Sequence, residues 1–342
     1  MEYEIELKLL TNENAGEIIE TKLLSQINAH ITQETQILTN HYFDTPNRTL
    51  RQHDIGLRIR GNDQTFEQTL KTSGKSIGGL QQRPEYNVQL NELKKQNLGL
   101  PDLGLFPVSA WPKTIDVNDI QASIETLFST HFERRIYLLE FPHGDIVELV
   151  WDLGEVTSGQ QNVPICEIEL ELKKGSITEI FNLAKLIISL LPITIGIDSK
   201  AAIGYKLCDG SSPGKFVQHQ QSLHENMQNT AEEFVSLLTI RLHDFQMLSA
   251  EIRRQYSKEL ATNIKQVLIK LVDNLAAFSH YFPSPTLDNI GIKLKKLVDD
   301  WYLVTQKSDK NSIIKLLVRA QTTQWQLDIV QCLVERPWSS NI

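Results

Sequence analysis

Glu4-Ile5-Glu6-Leu7-Lys8, at the start of the chain, returns far downstream as Glu167-Ile168-Glu169-Leu170-Glu171-Leu172-Lys173. Side chains alternate between the two faces of a strand. Each run therefore carries charge on one face and aliphatic residues on the other. An enclosed charged face is costly unless it holds water, a metal or a charged ligand. Two such strands predict a barrel whose interior, unusually, is the polar side.

Parity along the other strand candidates extends the pattern. Arg58 and Arg60 share a face of Gly56-Leu57-Arg58-Ile59-Arg60, and Thr65, Glu67, Thr69 and Lys71 share one in the next segment. Arg83, Glu85 and Asn87 fall together, as do Glu148, Val150 and Asp152. Opposite faces are aliphatic or aromatic, Val147, Leu149 and Trp151 among them. An ordinary antiparallel sheet with one wetted face would mix polar types freely. Here carboxylates gather on the first and last strands and cations on the middle ones. Closing the sheet removes its exposed edges and sets an acidic wall against a basic one.

Strands are expected over residues 3–10, 38–44, 55–60, 65–71, 83–90, 132–140, 145–152, 163–173 and 199–208, and helices over 13–29, 120–129 and 176–191. Residues 91–115, with Pro101, Pro107 and Pro112, read as a long irregular connection, and Pro84 predicts a bulge or strand end beside Arg83 and Glu85. Asp44 either pins the turn before Pro46 or touches ligand. The turn-rich stretch from Gly210 to Gly214 opens a linker over 210–222. Beyond it, Phe234, Leu238, Leu242 and Phe245 recur at helical spacing, as do Ile264, Leu271, Leu275 and Phe278, and Leu294, Leu297 and Trp301. Four or five amphipathic helices are expected to form a bundle over 223–342. The fold class is thus α+β: an antiparallel barrel over 1–209, then helices.

Charge narrows the chemistry. The net charge of −8 makes the chain a poor general binder of nucleic acid. No apolar run is long enough for a membrane helix, and three cysteines at unrelated spacings, Cys166, Cys208 and Cys332, suit a cytoplasmic protein without a disulfide or zinc framework. Clustered carboxylates repel one another unless a cation sits among them. Oxygen-only ligands suit Mg²⁺ or Mn²⁺ rather than zinc, and Arg and Lys suit phosphate oxygens. Metal plus several cations matches a linear polyphosphate, handled by positioning and charge neutralisation.

The ordered motifs resemble the CYTH family, the triphosphate tunnel metalloenzymes. Glu4, Glu6 and Lys8 match the opening Glu-x-Glu-x-Lys, followed by Tyr42-Phe43-Asp44-Thr45, the Arg58/Arg60 strand, Thr69-Leu70-Lys71 and Arg83-Pro84-Glu85. Phe132-Glu133-Arg134, Asp152, Glu167-Ile168-Glu169 and Ser199-Lys200 complete the series. The resemblance implies an eight-stranded antiparallel tunnel that hydrolyses a triphosphate with Mg²⁺ or Mn²⁺, and inorganic triphosphate is the expected small-molecule substrate. Carried over, Glu4, Glu6, Asp152, Glu167 and Glu169 are the expected metal ligands. Lys8, Arg58, Arg60, Lys71, Arg83, Arg134 and Lys200 grip phosphates. Glu4, Glu6, Lys8 and Glu85 are the expected catalytic set, with Glu85 orienting a cation or water. The helical region resembles, in degenerate form, the CHAD-type bundle that follows this domain in bacterial inorganic triphosphatases. The alternatives are hydrolysis of a nucleoside or thiamine triphosphate, adenylate cyclisation, and a non-enzymatic polyphosphate-binding module.

Overall fold

The computed structural model describes residues 2–61, 65–90, 99–210, 230–306 and 310–338. The expected linker, apart from residue 210, and residues 91–98 of the irregular connection lie outside the described residues. The chain divides into two units, one of Met1–Ile180 with Asp198–Ser212 and one of Phe181–Ile197 with Pro213–Ile342.

In the first unit the strands are β1 Glu2–Leu10, β2 His30–Asp44, β3 Gly56–Gly61, β4 Phe66–Lys71, β5 Lys75–Ile77, β6 Leu80–Leu90, β7 Glu125–Glu140, β8 Ile146–Ser158 and β9 Gln161–Lys174. Eight of them bond in the order β1-β9-β8-β7-β2-β3-β4-β6, all antiparallel, and β6 pairs back onto β1 from Glu2↔Glu85 to Leu7↔Leu80. The sheet is therefore a closed eight-stranded barrel, a size whose interior holds side chains or one small ligand. Short β5 folds back on β6 as a hairpin.

The parity expected from sequence sorts the residues correctly. Outward-facing Phe43, Leu57, Ile59 and Leu70 pack under Leu103, Phe106, Trp111 and Ile120 from the 99–124 segment. Elsewhere Trp151 is covered by the short helical stretch beginning with α1, Ala15–Ile18. A Cβ on Gly16 would stand 2.5 Å from the Trp151 ring, so only glycine permits that approach.

Three local expectations need correction. Residues 199–208 are not a strand but a helix, Lys200–Cys208, opened by Ser199, whose hydroxyl accepts from Ala202 N at 3.1 Å. An Ala-Ala pair behind a serine N-cap favours helix, and the alternation there is short enough to mislead. The helix expected over 120–129 ends at Ser123, and β7 starts at Glu125. Pro84 makes no bulge, because the β1 register passes it unbroken. Its other edge is where β4 stops, at Lys71↔Glu85, before β5 begins at Lys75↔Gln82.

In the second unit lies most of Thr178–Leu190, followed by the helices Ala231–Arg254, Lys258–Tyr281, Pro285–Gln306, Lys310–Leu317 and Ala320–Glu335. In chain order the described helices are α1, α2 (Thr49–Gln52), α3 (Val117–Ser123), α4 (Thr178–Leu190), α5 (Lys200–Cys208) and α6–α10 for the last five. A capping box starts α6: Thr230 accepts from Glu233 N at 3.3 Å and Glu233 accepts from Thr230 N at 2.9 Å. Phe234, Leu238, Phe245, Ile264, Leu271, Phe278, Leu294 and Trp301 are all buried, as their spacing predicts.

Candidate active site: the charged barrel interior

At one end the barrel is filled. Tyr42, Phe128, Phe132, Val156 and Ile165 meet Tyr205 of α5 in an apolar cluster. Gly204 allows the contact, since a Cβ there would overlap the Phe128 ring at 2.1 Å. Asp44, fully buried, settles the open question about its role. It accepts from the backbone N–H groups of Thr45, Leu50 and Arg51 at 2.7, 2.8 and 3.0 Å and from the Tyr205 hydroxyl at 2.8 Å. It pins the turn and the start of α2.

The rest of the interior is a cavity of about 240 Å³. Glu4, Glu6, Lys8, Arg58, Arg60, Lys71, Arg83, Glu85, Arg134, Glu169 and Lys200 all line it. Eleven of the thirteen residues singled out in the sequence thus meet on one surface, brought there from β1, β3, β4, β6, β7, β9 and the first residue of α5. Asp152 and Glu167 lie just beneath that surface, 0% and 2% exposed.

The cations fall into two groups. Lys8, Lys200 and Arg134 are committed to carboxylates. Arg134 forks onto Asp152 at 2.8 and 2.6 Å and reaches Glu169 at 2.7 Å. Lys8 pairs with Glu167 at 2.5 Å and with Glu169, and lies 3.7 Å from Glu6. Lys200 pairs with Asp152 at 2.6 Å, Glu169 at 2.9 Å and Glu167. Burial opposes the charge on Lys8, but Glu167 and Glu169 overcome it and raise its pKa well above the ordinary lysine value. Asp152 is likewise held below the ordinary aspartate range by Arg134 and Lys200 despite its burial.

Arg58, Arg60 and Arg83 form the second group. The buried Nε atoms of Arg58 and Arg83 have no hydrogen-bond partner. Arg60 donates to Asn40 Oδ1 at 2.9 Å. Its pKa falls to about 10, first through burial and then through the neighbouring charges of Arg58 and Arg134. A guanidinium crowded by its own kind and short of acceptors is a receptor for an anion. Lys71 links the groups, 2.6 Å from Glu4 and 3.3 Å from Glu85. Burial resists ionisation of Glu85, yet Lys71 and Arg58 hold its pKa at about 2.

The acidic wall shows the opposite imbalance. Burial, then the charges of Glu169 and Glu4, push the Glu6 carboxyl up to about 8. Asp152, Glu167 and Glu169 bring carboxylate oxygens within 4.8 Å of one another, an arrangement able to hold a metal ion, although ammonium groups already stand among them. An all-oxygen donor set in which Glu6 ionises only against burial and its acidic neighbours fits a hard divalent cation, which would relieve that cost. Tyr42, Gln81, Asn87, Lys173 and Ser199 also line the cavity. Parity could have found Tyr42, which pairs across from Arg58 in the β2–β3 ladder.

A closed antiparallel barrel with charge of both signs inside suits a charged ligand. Residues 2–204 match the CYTH domain, and the chain belongs to the CYTH family. Among curated proteins it is 37% identical over 207 residues to an inorganic triphosphatase of Haemophilus influenzae, a match covering 60% of this chain and 54% of that one. The chain thus spans about half the length of the curated relative it matches. Among solved structures, HpAC1 from Hippeastrum, named for adenylyl cyclase and described with a dominant triphosphatase activity, aligns with 21% identity and a TM-score of 0.42 over 60% of this chain and 96% of that one. A protein from Pyrococcus horikoshii OT3 aligns with 19% identity and a TM-score of 0.38, over 60% and 99%.

Proposed function

We propose that the barrel hydrolyses inorganic triphosphate to pyrophosphate and phosphate with Mg²⁺ or Mn²⁺. The observation that carries this reading is the pair of partnerless buried guanidinium nitrogens on Arg58 and Arg83, in one cavity with an under-compensated acidic wall. Among the described residues, eight basic and seven acidic side chains line the cavity. A near-neutral lining accepts a multiply charged phosphate chain only if further positive charge comes with it, which favours a metal–triphosphate complex over the bare anion.

Glu4, Glu6 and Glu169, which face the cavity, would hold the metal. Asp152 and Glu167, also expected as ligands, act here by fixing Arg134, Lys8 and Lys200. The bound metal supplies Lewis-acid neutralisation of phosphate oxygens. Arg58, Arg60 and Arg83 bind and orient the chain, and neutralise charge that grows on the leaving pyrophosphate. Lys8, Lys200 and Arg134 hold the acidic wall in place, and Glu85 fixes Lys71 and Arg58. No side-chain nucleophile is required.

Inorganic triphosphate is favoured over a nucleotide because the lining offers no free stacking platform. Tyr42, the sole aromatic among the described lining residues, is already stacked on Phe128 with ring centroids 4.7 Å apart. The reading assigns residues 1–209 to the triphosphate domain, 210–222 to a linker and 223–342 to a degenerate CHAD-like bundle, in a cytoplasmic protein. Among the described residues, five helices after residue 230 support the last assignment. Among the described residues no helix is long and apolar enough to cross a membrane.

A phosphate-release screen over tripolyphosphate, ATP and thiamine triphosphate, with Mg²⁺ and Mn²⁺ compared, tests the proposal. Tripolyphosphate is expected to turn over fastest. Cyclic AMP from ATP, or binding without phosphate release at any metal concentration, would replace it.

A further inference from the structure

The helical unit holds a cavity of its own, of about 450 Å³, within the usual range for small-molecule sites. Its walls come from α4, α8 and the first turns of α10. The floor is apolar, built on Ile188, Leu297 and Trp325, which are 4%, 4% and 1% exposed. Lys185, Lys293, Lys296 and Arg319 stand around it, and no carboxylate belongs to the described lining. Outside the lining, Asp328 is shared by Lys293 at 2.8 Å and Lys185 at 3.6 Å, and Asp300 takes Arg319 at 2.6 Å. Four cations against two carboxylates leave the rim positive.

Two independent features point to a ligand. The sixteen-residue α10 begins at this cavity without a side-chain cap: Arg319 is its N-cap, and Ala320 and Gln321 belong to the lining. Uncapped N–H groups at the positive end of a helix attract anions. Separately, Trp325, which lines the cavity, carries a buried indole N–H without a hydrogen-bond partner, a costly state.

We propose that this cavity binds a small amphipathic anion, an apolar chain or ring bearing a single phosphate or carboxylate. The apolar part lies over Ile188, Leu297 and Trp325, and the head group meets Lys296 and the start of α10. A bare phosphate chain has nothing to bury against that floor, and a neutral lipid leaves the rim charges unanswered. The proposal is independent of the barrel chemistry.

Titrating the full chain with octyl phosphate and with octanoate, followed by calorimetry and tryptophan fluorescence, tests it. Either ligand is expected to bind one per chain, at least tenfold more tightly than 1-octanol or inorganic phosphate. Lys296→Glu, at an exposed position, is expected to weaken binding at least tenfold and to leave phosphate release from tripolyphosphate unchanged. Ser189→Trp, also exposed, is expected to block the mouth with the same result. Equal affinity for octanol, unaltered binding in both variants, no saturable binding, or displacement of octyl phosphate by stoichiometric tripolyphosphate would overturn it.

Discussion

The barrel and the helical unit bury opposite things. The barrel turns its aliphatic residues outward, under the 99–124 segment and the stretch around α1, and keeps ionised groups inside. The helical unit follows the usual rule, with Phe245, Leu271, Phe278, Trp301 and Trp325 at its centre and most charges outside. An apolar interior is held by contact area alone and says little about chemistry. A charged interior survives only if each ion has a partner, so its composition carries information about the missing ones. In this barrel the shortfall is of acceptors at the Nε atoms of Arg58 and Arg83, of anions around Arg60, and of a cation at Glu6.

The largest expected contrast lies within the acidic wall. Glu4→Gln and Glu6→Gln should each cut triphosphate turnover by at least about a hundredfold, with little change in the thermal midpoint. Unchanged turnover would remove both residues from the metal site. Asp152→Asn should do more to the fold than a surface change could, because it removes the buried carboxylate that Arg134 and Lys200 share beneath the lining. Arg134 is then left with Glu169 alone, and Lys200 with Glu169 and Glu167. A loss of about 3–5 kcal/mol in urea unfolding is expected. A fold that tolerates the change would make Asp152 a ligand rather than an anchor.

Trp301→Ala tests the other half of the comparison. It removes a fully buried indole whose Nε1 donates to Ala261 O at 3.2 Å, and should cost the helical unit about 3–5 kcal/mol without altering kcat in the folded protein. Arg58→Ala should lower kcat/KM about ten- to a hundredfold, as charge-assisted contacts are lost. A fall in kcat as well as in affinity is expected if the contact strengthens during reaction.

The smallest effect is a pH slope. Glu6 titrates at about 8 in the folded protein against 4.5 ordinarily. Between those values the folded state holds the extra proton, so metal-free stability falls as pH rises toward and through 8. Divalent metal should flatten that slope, and Glu6→Gln should abolish it. Thermal melts from pH 5 to 9, with and without Mg²⁺, would show a flat metal-free profile if the carboxyl were not so placed.

Much of the barrel was legible because its signal has period two and every charged face points inward. Glu4, Arg58, Lys71 and Glu169 could be placed by parity alone. Lys200 reached the correct surface from an element assigned wrongly, as the first residue of a helix rather than part of a strand. The first half of β2, over 30–37, was missed because His30-Ile31-Thr32-Gln33-Glu34 is mostly exposed and polar. The division of carboxylates into cavity-facing and buried rows was illegible, since depth along a strand depends on register with its neighbours. Lys8↔Glu169 and Arg134↔Asp152 are facts of pairing that no single strand records.

The most direct measurement is an anomalous difference map at the manganese edge, from crystals grown with Mn²⁺ and tripolyphosphate. A peak bounded by Glu4, Glu6 and Glu169, with phosphate density running toward Arg58 and Arg83, is the predicted result. Manganese and phosphate bound outside the barrel, or a barrel interior empty of both, would contradict it.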